Sequence, residues 1–139
     1  MGKVTATIML SNLDDLFEVE KGQRSTDYVR SIEVSDALVD TGATMLSLPT
    51  GMIQSLGLKK FRSRTARTPA GIREFDVYGM VRLDIEGRDC SVEVAELPDE
   101  CPVLIGQVPL ELLDFVVDPQ GQRLIGNPDH GGKHMIEMF

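Results

Sequence analysis

Apolar residues recur at every second position over much of this chain. Val4, Ala6, Ile8 and Leu10 alternate with Thr5, Thr7 and Met9, the pattern of a strand with one face turned inward. A longer run places Phe75, Val77, Gly79, Val81, Leu83 and Ile85 between Asp76, Tyr78, Met80, Arg82 and Asp84. Glu86-Gly87-Arg88 turns that strand, and Cys90, Val92 and Val94 alternate with polar neighbours as its partner. Residues 28–33 and 36–40 read as two further strands, the second short and apolar. Thr68-Pro69-Ala70-Gly71 is turn chemistry. Residues 59–67 and 72–85 are therefore expected to be the arms of a hairpin with its tip at Pro69, Ala70, Gly71 and Ile72.

Helical signals are few. Residues 11–23 hold four acids, Asp14, Asp15, Glu18 and Glu20, and are read as a hairpin or loop. Residues 49–56 suit a short helix, with Pro49 at its first position and Gly57 as its stop. Val103-Leu104-Ile105-Gly106 is an apolar run ending at Gly, and residues 109–114 form a second short helix. A last hairpin follows over 115–118 and 123–125, turning at Pro119-Gln120-Gly121. Leu-Ile-Gly occurs at 104–106 and again at 124–126, but the flanks differ and no repeat is read. The expected fold is mostly β with one or two short helices.

At 139 residues, 42% of them apolar, the chain has the size and content for one domain with a real core. Five Phe, two Tyr and no Trp leave little for stacking on bases or sugars. A net charge of −8 makes a poor general binder of nucleic acid. No apolar run is long enough to span a bilayer, and Met1-Gly2-Lys3-Val4-Thr5 lacks the apolar stretch of a secretory signal. Cys90 and Cys101 are too few for a disulfide framework. They read as reduced thiols, and the expected home is the cytoplasm.

The chemistry concentrates in Ala37-Leu38-Val39-Asp40-Thr41-Gly42-Ala43-Thr44. An aspartate at the end of an apolar strand is costly unless it is hydrogen-bonded, neutralised or functional. Gly42 allows close backbone approach and offers an N–H to a carboxylate oxygen. Thr41 supplies a hydroxyl that can fix the loop. As plain structure, the same residues are an ordinary strand-to-turn junction.

This stretch resembles the active-site loop of the aspartic proteases, in particular the single-domain, retropepsin-like branch. Three features fit in order: the strand with Asp40-Thr41-Gly42-Ala43, a hairpin with Pro69-Ala70-Gly71-Ile72 at the place of the family's flap, and Val103-Leu104-Ile105-Gly106 followed by a short helix. The resemblance covers about residues 4 to 125. It implies a closed, β-barrel-like acid-protease fold over residues 1–126 and a tail over 127–139, which resembles the ends of bacterial single-domain homologues. It also implies that Leu104, Ile105 and Gly106 support the active-site loop. The chain departs from viral members at Thr44 and Gln107, where those often carry an Asp and an Arg that pair. Its flap tip has one Gly, stiffened by Pro69.

Peptide hydrolysis by this route needs two carboxylates sharing one proton. One acts as general base on water; the other donates to the scissile carbonyl. A single Asp-Thr-Gly per chain therefore calls for a homodimer, with Asp40 of both chains on the two-fold axis. The resemblance implies the same arrangement, with Thr41 of each chain bonded across the axis. The expected function is an aspartic endopeptidase acting on peptides or unfolded protein, with no cofactor and no metal. The alternative is a protease-like dimer that binds peptide or protein segments with little or no cleavage. An aspartyl-phosphate enzyme would carry a second Asp two positions on, where this chain has Gly42.

Weaker features remain. Lys59, Lys60, Arg62, Arg64, Arg67 and Arg73 gather six of the 14 basic residues. They form either a basic rim suited to acidic peptides or a solvated hairpin face. His130 and His134 flank Gly131 and Gly132, and no metalloprotease pattern accompanies them. Residues 135–139 alternate apolar positions and either add a strand at a dimer sheet or are disordered.

Overall fold

The first strand, β1 (Thr5–Asn12), lies between two partners that are far apart in sequence. It runs antiparallel to β2 (Ser31–Val39) and, from Met9 to Asn12, antiparallel to the far half of β5 (Gly71–Ile85). β5 pairs antiparallel with β6 (Arg88–Leu97), and β6 runs parallel to β3 (Leu46–Pro49). β3 meets β7 (Leu104–Ile105), and β7 runs parallel to β2. The order β1-β2-β7-β3-β6-β5 thus returns to β1 and the bonding closes on itself, which removes most open strand edges. β4 (Lys59–Thr68) stays outside the ring, paired with the near half of β5. The pair β8 (Phe115–Asp118) and β9 (Arg123–Gly126) forms a separate two-stranded sheet. These elements come from a computed structural model that describes residues 3–138. Met1, Gly2 and Phe139, which bear on the leader reading and on the last alternating position of the tail, lie outside the described residues.

The ring encloses the core. Leu10, Leu46, Leu48, Val81, Leu83, Val94 and Ile105 are wholly buried there. Alternation along β1, β5 and β6 turns Leu10, Val81, Leu83 and Val94 inward, as the sequence pattern requires. Two helices add their apolar faces: α2 (Thr50–Leu56) through Ile53 and Leu56, and α3 (Gln107–Leu113) through Leu110 and Leu113. Gly57 ends α2 in the left-handed region at φ 65°, as expected of a C-terminal glycine.

The described residues differ from the sequence reading at several points. Residues 11–23 are not a hairpin or loop: Leu13–Glu20 is a helix, α1, capped by the Asn12 side chain, which accepts from the Asp15 N–H at 3.0 Å. With α1 there are three α-helices, one more than expected. Residues 28–33 and 36–40 are not two strands but one, β2, with Tyr28 in a 3-10 turn before it. The register shifts between Ala6↔Ala37 and Ile8↔Val34. Ser35 and Asp36 therefore face a single residue, Thr7, and this bulge breaks the period of two. β3 carries no alternation because all four of its residues are buried. α3 begins at Gln107, two residues ahead of the expected start. Pro49 caps α2 and closes β3 rather than standing inside the helix.

Candidate functional site

Asp40 leaves the end of β2 beside β7, where Leu38 pairs with Leu104 and Val39 with Ile105. The Leu38 N–H donates to Val103 O at 2.8 Å and the Asp40 N–H to Ile105 O at 3.0 Å. The chain then turns tightly: the Ala43 N–H donates to Asp40 O at 3.1 Å, and the Gly42 N–H to Asp40 Oδ1 at 3.0 Å. Asp40 and Ala43 are half-buried, whereas Thr41 and Gly42 are exposed. One carboxylate oxygen is thus aimed by its own loop, and the group stands at the surface of the chain.

The segment Leu104-Ile105-Gly106 holds this loop from behind. The Gly106 N–H donates to Met45 O at 3.1 Å, the Gln107 N–H to Ala43 O at 2.8 Å and the Val108 N–H to Thr44 O at 2.9 Å. These bonds satisfy donors at the start of α3 that have no partner inside the helix. They also fix Asp40 relative to the core, because Leu110 and Leu113 of the same helix are buried. Gly106 is required by space: a Cβ there would lie 2.5 Å from Met45 O and 2.6 Å from Thr44 C. Gln107, one of the departures, directs its amide along α3 to Glu111 Oε1 at 3.2 Å; Thr44 is exposed.

The β4–β5 hairpin turns at Pro69 and Ala70, between the paired Thr68 and Gly71, a shorter tip than expected because Gly71 and Ile72 already pair within β5. Its bonds are local: Thr68 Oγ1 donates to Gly71 O at 2.7 Å and accepts from the Ala70 N–H at 3.2 Å. Ile72 is 65% exposed, and in the outer part of the arm only Ala66 and Thr68 are half-buried, the other residues being exposed. The structure therefore brings Asp40–Ala43 and Leu104–Gly106 together, whereas the hydrogen bonds of Pro69, Ala70, Gly71 and Ile72 stay within the β4–β5 arm.

Two buried ionic groups escaped the sequence reading. Asp15, fully buried on α1, accepts from Arg30 Nε at 2.9 Å, Arg30 Nη2 at 2.8 Å and the Arg30 N–H at 3.0 Å. The Arg30 side chain holds its carboxyl down at about 2, against the opposing effect of burial. Asp114, at the end of α3, binds His130 Nδ1 at 2.6 Å and accepts from Asn127 Nδ2 and the Met135 N–H. His130 Nε2 meets Glu137 at 3.0 Å. Hydrogen bonding to Asp114, then to Glu137, raises His130 above its ordinary value, while His130 lowers Asp114. An Asn-x-x-Asp cap at 12–15 and an acid-flanked histidine in the tail were the available signals. Cys90 and Cys101 are free thiols, and burial, aided by Asp89 and Asp84, pushes Cys90 up to about 11.

Among the described residues no helix is long and apolar enough to cross a membrane, and no group of three or more His, Cys, Asp or Glu is arranged to hold a metal ion. Compared with known protein families and with curated proteins, the chain finds no match.

Proposed function

We propose that this chain is one half of a homodimeric aspartic endopeptidase with the retropepsin-like acid-protease fold. The observation that carries the reading is the Asp40-Thr41-Gly42-Ala43 loop: an aspartate leaving the half-buried end of β2, aimed by the Gly42 N–H and laced through backbone bonds to residues 105–108. The closed ring of strands and the projecting β4–β5 hairpin, in the chain order of that family, support the same reading.

One Asp40 supplies half of the chemistry. With the two copies facing across a two-fold axis, the like charges cannot both ionise and one proton is shared. The ionised carboxylate takes a proton from water as its oxygen attacks the scissile carbonyl. The protonated one donates to the developing oxyanion. Collapse of the tetrahedral species breaks the C–N bond, and the leaving amine takes up a proton from the pair. The β4–β5 tip gates the cleft.

Cleavage of an unstructured protein is to be followed by mass spectrometry over ~pH 3 to 8, a range that spans carboxylate and histidine titration. The expected rate is bell-shaped in pH, and Asp40→Asn abolishes cutting while the fold remains. Equal cutting by Asp40→Asn shows that another group performs the chemistry. A dimer that binds these chains and cuts none is the binding module instead.

A further inference from the structure

The arm and the body of this protein carry opposite charge. Residues 59–73 contain six Lys or Arg and no acid, whereas the other eight cations stand against all 22 Asp and Glu, a balance of −14. Part of the arm's charge is used internally: Lys60 pairs with Asp76, and Arg62 with Glu93 of β6. Arg64, on the same face of β4 as Arg62, has no ion-pair partner among the described residues.

Arg64 stands at the edge of a groove of about 310 Å³ between the root of the arm and α3. The groove is floored by Met45, Met80, Val92, Val108 and Leu112, and Glu93 is its one acid. That acid is already neutralised by Arg62. Val108 and Leu112 are 43% and 39% exposed, which is unusual for two apolar residues on one face of a short helix that also supplies the core. Those two side chains also line a second depression, whose titratable residues are Glu111, Asp114, Asp129 and Glu137 with His130, four acids against one histidine. An acidic ligand is repelled there and drawn to the Arg64 side. The groove is also tied to the candidate site: Met45 is five residues after Asp40, and the Val108 N–H bonds Thr44 O.

We infer that this groove is a specificity site for acidic peptide segments, taking an apolar side chain on its floor and a neighbouring Asp or Glu carboxylate at Arg64. The inference rests on the protease reading only for the fate of the peptide; the groove and its charge stand without it. The net charge of −8 opposes acidic ligands at long range, so a preference for them must be local to the arm.

Two fluorescent peptides serve as probes, one of alternating Leu and Glu and one with Lys at the Glu positions. Titrated by anisotropy with the Asp40→Asn protein, the Leu/Glu peptide is expected to bind roughly tenfold more tightly, a preference that shrinks as salt screens it. Arg64→Glu should abolish or reverse the preference and Arg64→Ala weaken it, while Arg123→Gln, on β9, leaves it unchanged. Equal binding of the two peptides, or a preference that survives Arg64→Glu, overturns the inference. So does an Arg64→Glu protein whose only change is a shift in sedimentation, since the face then joins two copies of the chain. The unaltered chain separates this result from the protease reading. Binding of Leu/Glu without cutting upholds the groove and removes the protease, whereas equal cutting of both peptides upholds the protease and removes the groove.

Discussion

Asp15 is an acid at a position where a short amphipathic helix would ordinarily place an apolar residue. Its side chain is 0% exposed, and it survives there because Arg30 meets it with a two-pronged hydrogen bond. Removing one partner of a buried pair is costly, and the half-exposed Arg30 moderates that cost. Asp15→Ala is expected to lower stability by about 2 kcal/mol in urea unfolding. The pH dependence follows from a carboxyl held at about 2 against an ordinary 3.8. Its contribution is complete above the ordinary value and is lost as pH falls through about 2. The parent's unfolding midpoint should drop across that window, and the Asp15→Ala midpoint should drop less; parallel curves would refute this assignment. Gly106 is constrained by space. Gly106→Ala drives a methyl group into the Met45 carbonyl, at an expected cost of about 1–3 kcal/mol. Because that contact lies behind the Asp40 loop, cleavage should fall further than stability alone explains, measured where both proteins remain folded.

Elements are tied together here by a few polar side chains. Asn12 caps α1 and also donates through Nδ2 to Leu56 O, the last carbonyl of α2, at 2.8 Å. Asn12→Ala removes a cap and a buried hydrogen bond, a loss of about 2 kcal/mol. An unchanged urea midpoint would deny Asn12 that double role. The tail is attached in a similar way, through Asp114, His130 and Glu137 at the end of α3, and Arg88 adds a bond to Gly132 O. His130 is raised by these partners, so its contribution to tail docking is complete below the ordinary histidine value. It is lost as pH rises through the raised value. The lowered Asp114 acts in the opposite sense, failing only as pH drops through its own depressed value. Hydrogen exchange at the Met135 N–H, which donates to Asp114, should therefore be slowest in mildly acid solution, allowing for the intrinsic pH dependence of exchange. His130→Ala should remove that protection at every pH.

At the scale of the whole molecule, the closed ring and the single Asp-Thr-Gly make opposite demands. The ring satisfies its own strands and is a finished fold, whereas the proposed chemistry is unfinished without a second copy. Activity should therefore depend on association. Specific activity is expected to fall on dilution in step with the loss of a species of twice 15.3 kDa in sedimentation. Full activity in a solution of monomers would refute the shared site.

The long alternating strands, the β4–β5 and β5–β6 hairpins, the glycine stop of α2 and the Asp40 loop were legible in the chain itself. Each rests on a local rule: a period of two, a turn residue, or a cap within a few positions. Only the tertiary structure decided the rest. The parity break in β2 comes from its pairing with β1, and the strand character of β3 comes from burial between β6 and β7. The Asn12-x-x-Asp15 spacing marks a helix cap, but nothing within residues 13–20 shows that Asp15 is buried, because its cations stand nine and fifteen positions away at Arg24 and Arg30. The closure of β1 onto β5, which joins Met9 to Asp84, is likewise invisible locally. The bracing of Asp40 by residues 105–108 depends on the same fact: backbone bonds between distant segments carry no side-chain signature, and the sequence shows only the glycine that lets them approach.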